Sequence, residues 1–169
     1  MSLPRYFFAI PIHQESLQLQ MLQQKWLEHL TRLNRSQPQI RLIAPENFHL
    51  TLHFLGPQTS DELQKAKERA NNISANSFKI QSNGLGYFAK AKTGYLSIQN
   101  TKTLCSLAYQ LGNSQPYQPH VSLMRKLTDA TLPKITETNL NLQVKGFDLY
   151  RSNGNGALYQ HLEHFALRD

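Results

Sequence analysis

Residues 46–56 read ENFHLTLHFLG, and polar and apolar side chains alternate through the run. In a strand, residues i and i+2 point to the same face. His49, Thr51 and His53 then share one face, while Leu50 and Leu52 share the other and enter a core. A helical zinc pair from His49 and His53 has the right i, i+4 spacing. It lacks the glutamate after the first histidine, and the period is that of a strand. The stretch is expected to be a half-buried strand whose wet face is either plain surface or part of a site.

Residues 120–123, HVSL, repeat the pattern of HLTL at 49–52: histidine, aliphatic, hydroxyl residue, leucine. Both copies open a strand after a proline-containing turn. His49 with Thr51, and His120 with Ser122, then form two equivalent polar faces. Two lobes packed about a pseudo-twofold would bring them into one cleft. Two imidazoles can divide acid and base duties, since an ordinary histidine pKa near ~6.5 keeps both protonation states accessible. Hydroxyls and a cation can hold phosphoryl oxygens. Arg125 is the candidate cation, but strict alternation puts it on the opposite face from Ser122. Met124 stands in the second copy where the first has His53. His53 has no counterpart in the second copy and is carried as a possible cleft residue.

Outward from these strands, PRYFFAIPI at 4–12 reads as a first strand. The spacing of Leu19, Leu22, Trp26, Leu30 and Leu33 predicts an amphipathic helix after it. IRLIA at 40–44 is a short strand. A helix capped by Thr59 or Ser60 follows Gly56–Pro57. SFKIQSNGLGYF and TGYLSIQN form two strands around the loop AKAK, and TKTLCSLAYQLG forms a third helix ending at Gly112. The tail alternates on both sides of Asn153-Gly154-Asn155-Gly156, a hairpin signal. GLGYF at 84–88 lacks the spacing of a dinucleotide or P-loop motif and reads as a turn or bulge. Strands in runs with interspersed helices indicate an α+β fold with mainly antiparallel sheets, in a single domain over 1–169.

The chain has 169 residues and a formal net charge of +7, which favours polyanionic partners. No apolar run approaches the roughly 20 residues of a membrane helix, and the N-terminus reads as a strand, not a leader. Cys105 is the one cysteine; it is expected to be a buried small hydrophobe, in a reducing, cytoplasmic setting. A monomer is the default. His13, His29, His161 and His164 lack an equivalent context and are assigned to structure or surface. Tyr6, Phe8, Tyr87 and Tyr117 are weighed as base-stacking residues and assigned to the core.

The paired motifs resemble the 2H phosphoesterase superfamily. The wider wording, RYFFAIPI, IRLIAPENFHLTLHFLG, GLGYF and YQPHVSLMRK, is similar to its LigT-like branch, the RNA 2′,3′-cyclic phosphodiesterases or 2′-5′ RNA ligases. This resemblance implies a bilobal α+β fold, two pseudo-symmetric lobes facing a central cleft, with no metal and no cofactor. It implies that His49 is the proton donor to the leaving ribose oxygen and His120 the proton acceptor from water. Thr51, Ser122 and Arg125 would bind the phosphate. The implied substrate is RNA with a 2′,3′-cyclic phosphate end, tRNA fragments among them, or a small cyclic nucleotide. The product would be a 2′-phosphate, with reversible 2′-5′ ligation as a side activity. Alternatives are action on another 2′-linked nucleotide, such as a 2′-5′ oligoadenylate, and a non-catalytic RNA- or nucleotide-binding module.

Overall fold

The computed structural model describes residues 3–114, 116–128, 131–134 and 139–169. Its strands are β1 (Arg5–Pro11), β2 (Arg41–Leu42), β3 (His49–Gly56), β4 (Phe78–Phe88), β5 (Thr93–Ile98), β6 (His120–Arg125), β7 (Asn141–Val144), β8 (Gly146–Ser152) and β9 (Gln160–Ala166). The helices are α1 (Ser16–Arg32), α2 (Ser60–Asn71) and α3 (Lys102–Gln110), and a 3-10 turn spans Pro45–Asn47. The strands pair antiparallel in the order β7-β4-β5-β6-β3-β1-β8-β9, with β2 beside β6. The fold is α+β, as the pattern of runs requires.

The sheet is two four-strand halves joined at β3 and β6, where one position pairs, Leu50 with Val121. Beyond that bridge the strands part, and β2 takes over the edge of β6 at Met124 and Arg125. The tail holds three strands where alternation indicated a two-strand hairpin. The chain breaks step at Lys145, so β7 joins β4 in one half while β8 and β9 pair in the other. The hairpin itself is present, with Gly154, Asn155 and Gly156 all at positive φ in the β8–β9 loop.

One sheet face is covered by the helices. Leu50, Leu52, Val121 and Leu123 are fully buried there with Phe8, Leu96 and Leu149. Each such side chain contributes roughly 1.5–3 kcal/mol of burial. Leu19, Leu22, Trp26 and Leu30 of α1 join this core, as do Ala66 and Ala70 of α2 and Leu104 and Leu107 of α3. Leu33, placed on the same stripe by spacing, is instead exposed at the helix end. α1 crosses to the opposite half and sets Trp26 on β5 and β6. Gly94 permits this, because a Cβ there would lie 2.9 Å from the indole. α2 is capped by Thr59, one of the two expected residues, through a capping box in which Thr59 and Glu62 bond reciprocally. No helix among the described residues is long and apolar enough to cross a membrane.

Candidate active site

The uncovered sheet face carries the paired motifs. Antiparallel register through Leu50–Val121 sets Ser122 across from His49 and Thr51 across from His120. Strand rise and spacing then place the two histidine Cα atoms about 8 Å apart.

Each imidazole is held in the same way. His49 Nδ1 donates to the carbonyl of Asn47 at 2.7 Å, and His120 Nδ1 donates to the carbonyl of Gln118 at 2.8 Å. A carbonyl only accepts, so both neutral rings keep their proton on Nδ1 and present Nε2 to the cleft. His49 Nε2 lies 3.0 Å from Thr51 Oγ1. Two aromatic rings flank each histidine: Phe7 and Tyr159 beside His49, Phe88 and Tyr95 beside His120. The residues two before the histidines secure these walls. The Asn47 amide donates to the Ala157 carbonyl and accepts from Tyr159 N–H, while Gln118 donates to Tyr95 Oη. Gly86 leaves the space that the Tyr95 ring occupies; a Cβ there would lie 2.2 Å from it.

The strands then break alternation at matching points. Pairing of β6 with β5 skips Leu123, and pairing of β3 with β1 skips Leu52. Each skip is a β-bulge, which turns the following residues over. In β6, Leu123 and Met124 both enter the core, and Arg125 emerges on the face of His120 and Ser122. The objection that alternation turns Arg125 away is thereby removed. Met124 is fully buried, near Gly94, and does not narrow the cleft.

His53 is also turned by the bulge: it pairs with buried Phe8, and its ring lies close to Gly112 and Arg69, while it still lines, with His120, a cavity of about 560 Å³. Its pKa is lowered by burial and by the Arg69 guanidinium. Phe54 takes the face of Thr51 and is 55% exposed between two cavities. Each bulge carbonyl is capped by an amide from the opposite half. Gln23 of α1 donates to Leu123 O at 2.7 Å, and Asn113, after α3, donates to Leu52 O at 3.1 Å.

His49, Thr51 and Arg125 line a cavity of about 320 Å³ with Arg5, Arg41, Phe7, Asn47, Tyr159 and the Ser152–Ala157 loop. His120 lines the larger cavity with Thr51, Phe54, Phe88 and Tyr117. The site thus opens on two sides of Thr51. The His49 pKa is lowered to about 4, first by burial and then by repulsion from His120 and Arg125, against the opposing pull of the Asn47 carbonyl. Burial and Arg125 also lower His120. Ser122 lies half-buried opposite His49 and paired with Tyr95.

Several site residues escaped the sequence reading. Phe7, Phe54, Tyr159, Phe88 and Tyr95 were unmarked, because exposed and core aromatics look alike in a strand. Arg5 and Arg41 sit in strands distant in sequence. Of the four aromatics weighed, Phe8 is core, and Tyr117 donates its hydroxyl to Thr51 O at 2.8 Å, where burial raises its pKa. Cys105 is half-buried on α3, not core, with its thiol against Asn100. His161 and His164 flank the buried Asp148 carboxylate, which also accepts from Tyr150 Oη; Tyr150 stacks on Phe7. Among the described residues, no group of three or more His, Cys, Asp and Glu is arranged to hold a metal ion.

Comparison with known proteins bears on the fold and the family. The family described as LigT like Phosphoesterase matches residues 21–95. The crystal structure of Escherichia coli LigT complexed with NADP+ superposes with a TM-score of 0.83 over 100% of both chains, at 26% identity. The chain is similar to the LigT-like phosphoesterases in sequence and in fold. Two curated relatives carry the name RNA 2′,3′-cyclic phosphodiesterase. The one from Escherichia coli is 28% identical over 124 residues, 67% of this chain and 70% of its own. The one from Thermus thermophilus is 29% identical over 150 residues, 75% of each chain. As LigT-like structures do, this one combines a large antiparallel sheet with three helices.

Proposed function

We propose that this LigT-like phosphoesterase is an RNA 2′,3′-cyclic phosphodiesterase that opens the cyclic phosphate to a 2′-phosphate, working in the cytoplasm as a monomer without a metal. The observation that carries the reading is the pair of Nδ1-anchored imidazoles on facing strands, one beside Arg125. In-line displacement at phosphorus needs attacking and leaving oxygens on opposite sides of the atom, and His49 and His120 stand at opposite ends of the cleft. His120 Nε2 accepts a proton from water as its oxygen bonds to phosphorus. His49 Nε2 donates a proton as the bond to the ribose 3′-oxygen breaks. Thr51 and Ser122 bond the non-bridging oxygens, and Arg125 offsets their charge. The names of the relatives support the substrate class.

The test is hydrolysis of a 2′,3′-cyclic-phosphate-ended oligonucleotide in excess EDTA, with the product isomer identified by NMR. The 2′-phosphate is expected, and His49→Ala or His120→Ala abolishes turnover while sparing binding. A 3′-phosphate product sinks the assigned direction, and loss of activity with chelator sinks the metal-free step. Incubating a 2′-phosphate-free RNA pair, one end cyclic and one 5′-hydroxyl, tests for reverse 2′-5′ ligation by a shift in strand length.

A further inference from the structure

The positive charge of this chain lies in one part of the sequence. From Arg69 through Thr128, both included, there are seven cationic residues and no Asp or Glu; the rest of the chain holds eleven of each sign. Arg69 belongs to α2, and the other six lie on β4, α3, β6 and the turns beside them, so the half of the sheet bearing His120 carries most of the net charge. Long-range attraction for a polyanion is therefore directed at one side of the cleft.

Part of this charge forms a continuous rim that begins in the active site. Arg41 of β2 and Thr93 of β5 both pair with Arg125, on either side of β6. Lys92 precedes Thr93, and its carbonyl accepts from Leu127 N–H at 3.0 Å, which brings the Lys90–Lys92 turn against Lys126. Strand spacing makes the row from Arg41 to Lys92 about 10 Å wide. All five cations are exposed, and none pairs with a carboxylate among the described residues. Lys92 and Lys126 also hold left-handed backbone, with φ of 49° and 60°. Asn or Gly adopts that conformation more freely, so local stability does not account for lysine at either turn.

We propose that the rim of Arg41, Arg125, Lys126, Lys92 and Lys90 holds backbone phosphates of RNA upstream of the cyclic end, making the preferred substrate a strand of several nucleotides and not a mononucleotide. This rests on the cyclic phosphodiesterase reading. Arg41 and Arg125 line the His49 cavity, where that reading seats the terminal ribose, so the preceding phosphates meet the lysines as the strand leaves it.

The experiment compares wild type with the triple variant Lys90→Gln, Lys92→Gln, Lys126→Gln on two substrates, a 2′,3′-cyclic mononucleotide and an eight-nucleotide RNA with the same end. The variant is expected to lose ten-fold or more in kcat/KM on the octamer at low salt and to stay within two-fold on the mononucleotide, which also reports its folding. Each phosphate contact on a single strand contributes about 0.7 to the salt slope, so the three lysines should remove about 2 from the slope of log kcat/KM against log salt for the octamer. Equal loss on both substrates, or no loss on either, overturns the rim. If wild type turns over neither substrate, the phosphodiesterase reading fails separately. Fluorescence anisotropy with a 5′-labelled, 2′-phosphate-ended octamer then decides the rim alone, requiring at least ten-fold weaker binding by the variant. Competition by polyglutamate as strong as by RNA of equal charge would also overturn it, in favour of an acidic protein partner.

Discussion

The His49 proton gives the sharpest test of the site. Burial, His120 and Arg125 lower its pKa to about 4, so about one free molecule in a thousand holds that proton at pH 7. A general acid must be protonated, and the substrate's own charge supplies the remedy. A cyclic phosphate monoanion about 4.5 Å from the imidazolium, at an effective dielectric of about 20, attracts it by roughly 3.7 kcal/mol. That raises the pKa by about 2.7, to roughly 6.5–7. His120 is also lowered from its ordinary 6.5. Rate requires His49 charged and His120 neutral, so activity rises with pH through the lower pKa and falls through the higher. For kcat/KM, which reports the free enzyme, both limbs lie below pH 6.5 and the optimum is acidic. For kcat, the raised His49 carries the alkaline limb up, and the optimum moves toward neutrality by one to two pH units. Imidazole Cε1–H shifts, assigned with His49→Gln, should show His49 titrating near 4 and rising when inorganic phosphate is added. Titration of His49 at or above 6.5 in the free protein, or a kcat/KM optimum above pH 7, would refute the reasoning.

Three substitutions test how the site is held. Gln23→Leu keeps the volume but strips its bonds from the Leu123 and Ile43 carbonyls. It should cost about 1–3 kcal/mol in urea melts and, by loosening the bulge, raise KM more than it lowers kcat; an unchanged KM would mean that Gln23 only stabilises. Gly86→Ala drives a methyl into the Tyr95 ring, which packs on Phe88 and His120. It should cut kcat about ten-fold or more without changing the mononucleotide's charge contacts, and full activity would show that the ring does not set the histidine. His53→Met installs the residue that stands at the matching point of β6. It should leave kcat within about three-fold, whereas loss comparable to His49→Ala would return His53 to the cleft.

What the sequence disclosed is what depends on local period. His49, Thr51, His120 and Ser122 were legible because two copies of one four-residue pattern lie within strands, and the helix stripes through Trp26 and Leu104 were legible for the same reason. The cap of α2 was narrowed to Thr59 or Ser60, and the structure assigns it to Thr59. Wherever a strand slipped by one residue, the period misled. The bulges at Leu52 and Leu123 reversed the expected faces of His53, Met124 and Arg125, and only the neighbouring strands reveal a slip of that kind. Gln23 carried a signal that could have been read, a polar residue inside the apolar stripe of α1, buried to 3% exposure. Such a residue needs a partner, and its partner is the bulge carbonyl. Arg5, Arg41 and Tyr159 had no signal, since their approach to His49 depends on which strands are neighbours.

The near-twofold symmetry of the site poses a chemical problem that its two unequal residues resolve. Anchored histidines, facing hydroxyls, aromatic walls and amide-capped bulges all occur twice, so on their own they would let water attack from either end. Arg125 and Phe54 occupy equivalent points after the bulges, one a cation and one an exposed ring. Antiparallel register carries Arg125 past Ser122 toward His49, and carries Phe54 past Thr51 toward His120. Negative charge grows on the leaving oxygen as its bond to phosphorus breaks, and that oxygen is best placed beside the guanidinium. The same cation that depresses the His49 pKa makes its imidazolium a stronger proton donor once phosphate has drawn the proton in. Arg125 also lowers the His120 pKa, but it lines the cavity with His49 and not the one with His120, so water is left to the His120 side, beside Phe54. The proposed division, His49 as acid and His120 as base, is implied by the family resemblance and fits the placement of one arginine, and exchanging the two residues, Phe54→Arg with Arg125→Phe, should weaken the preference for one product isomer.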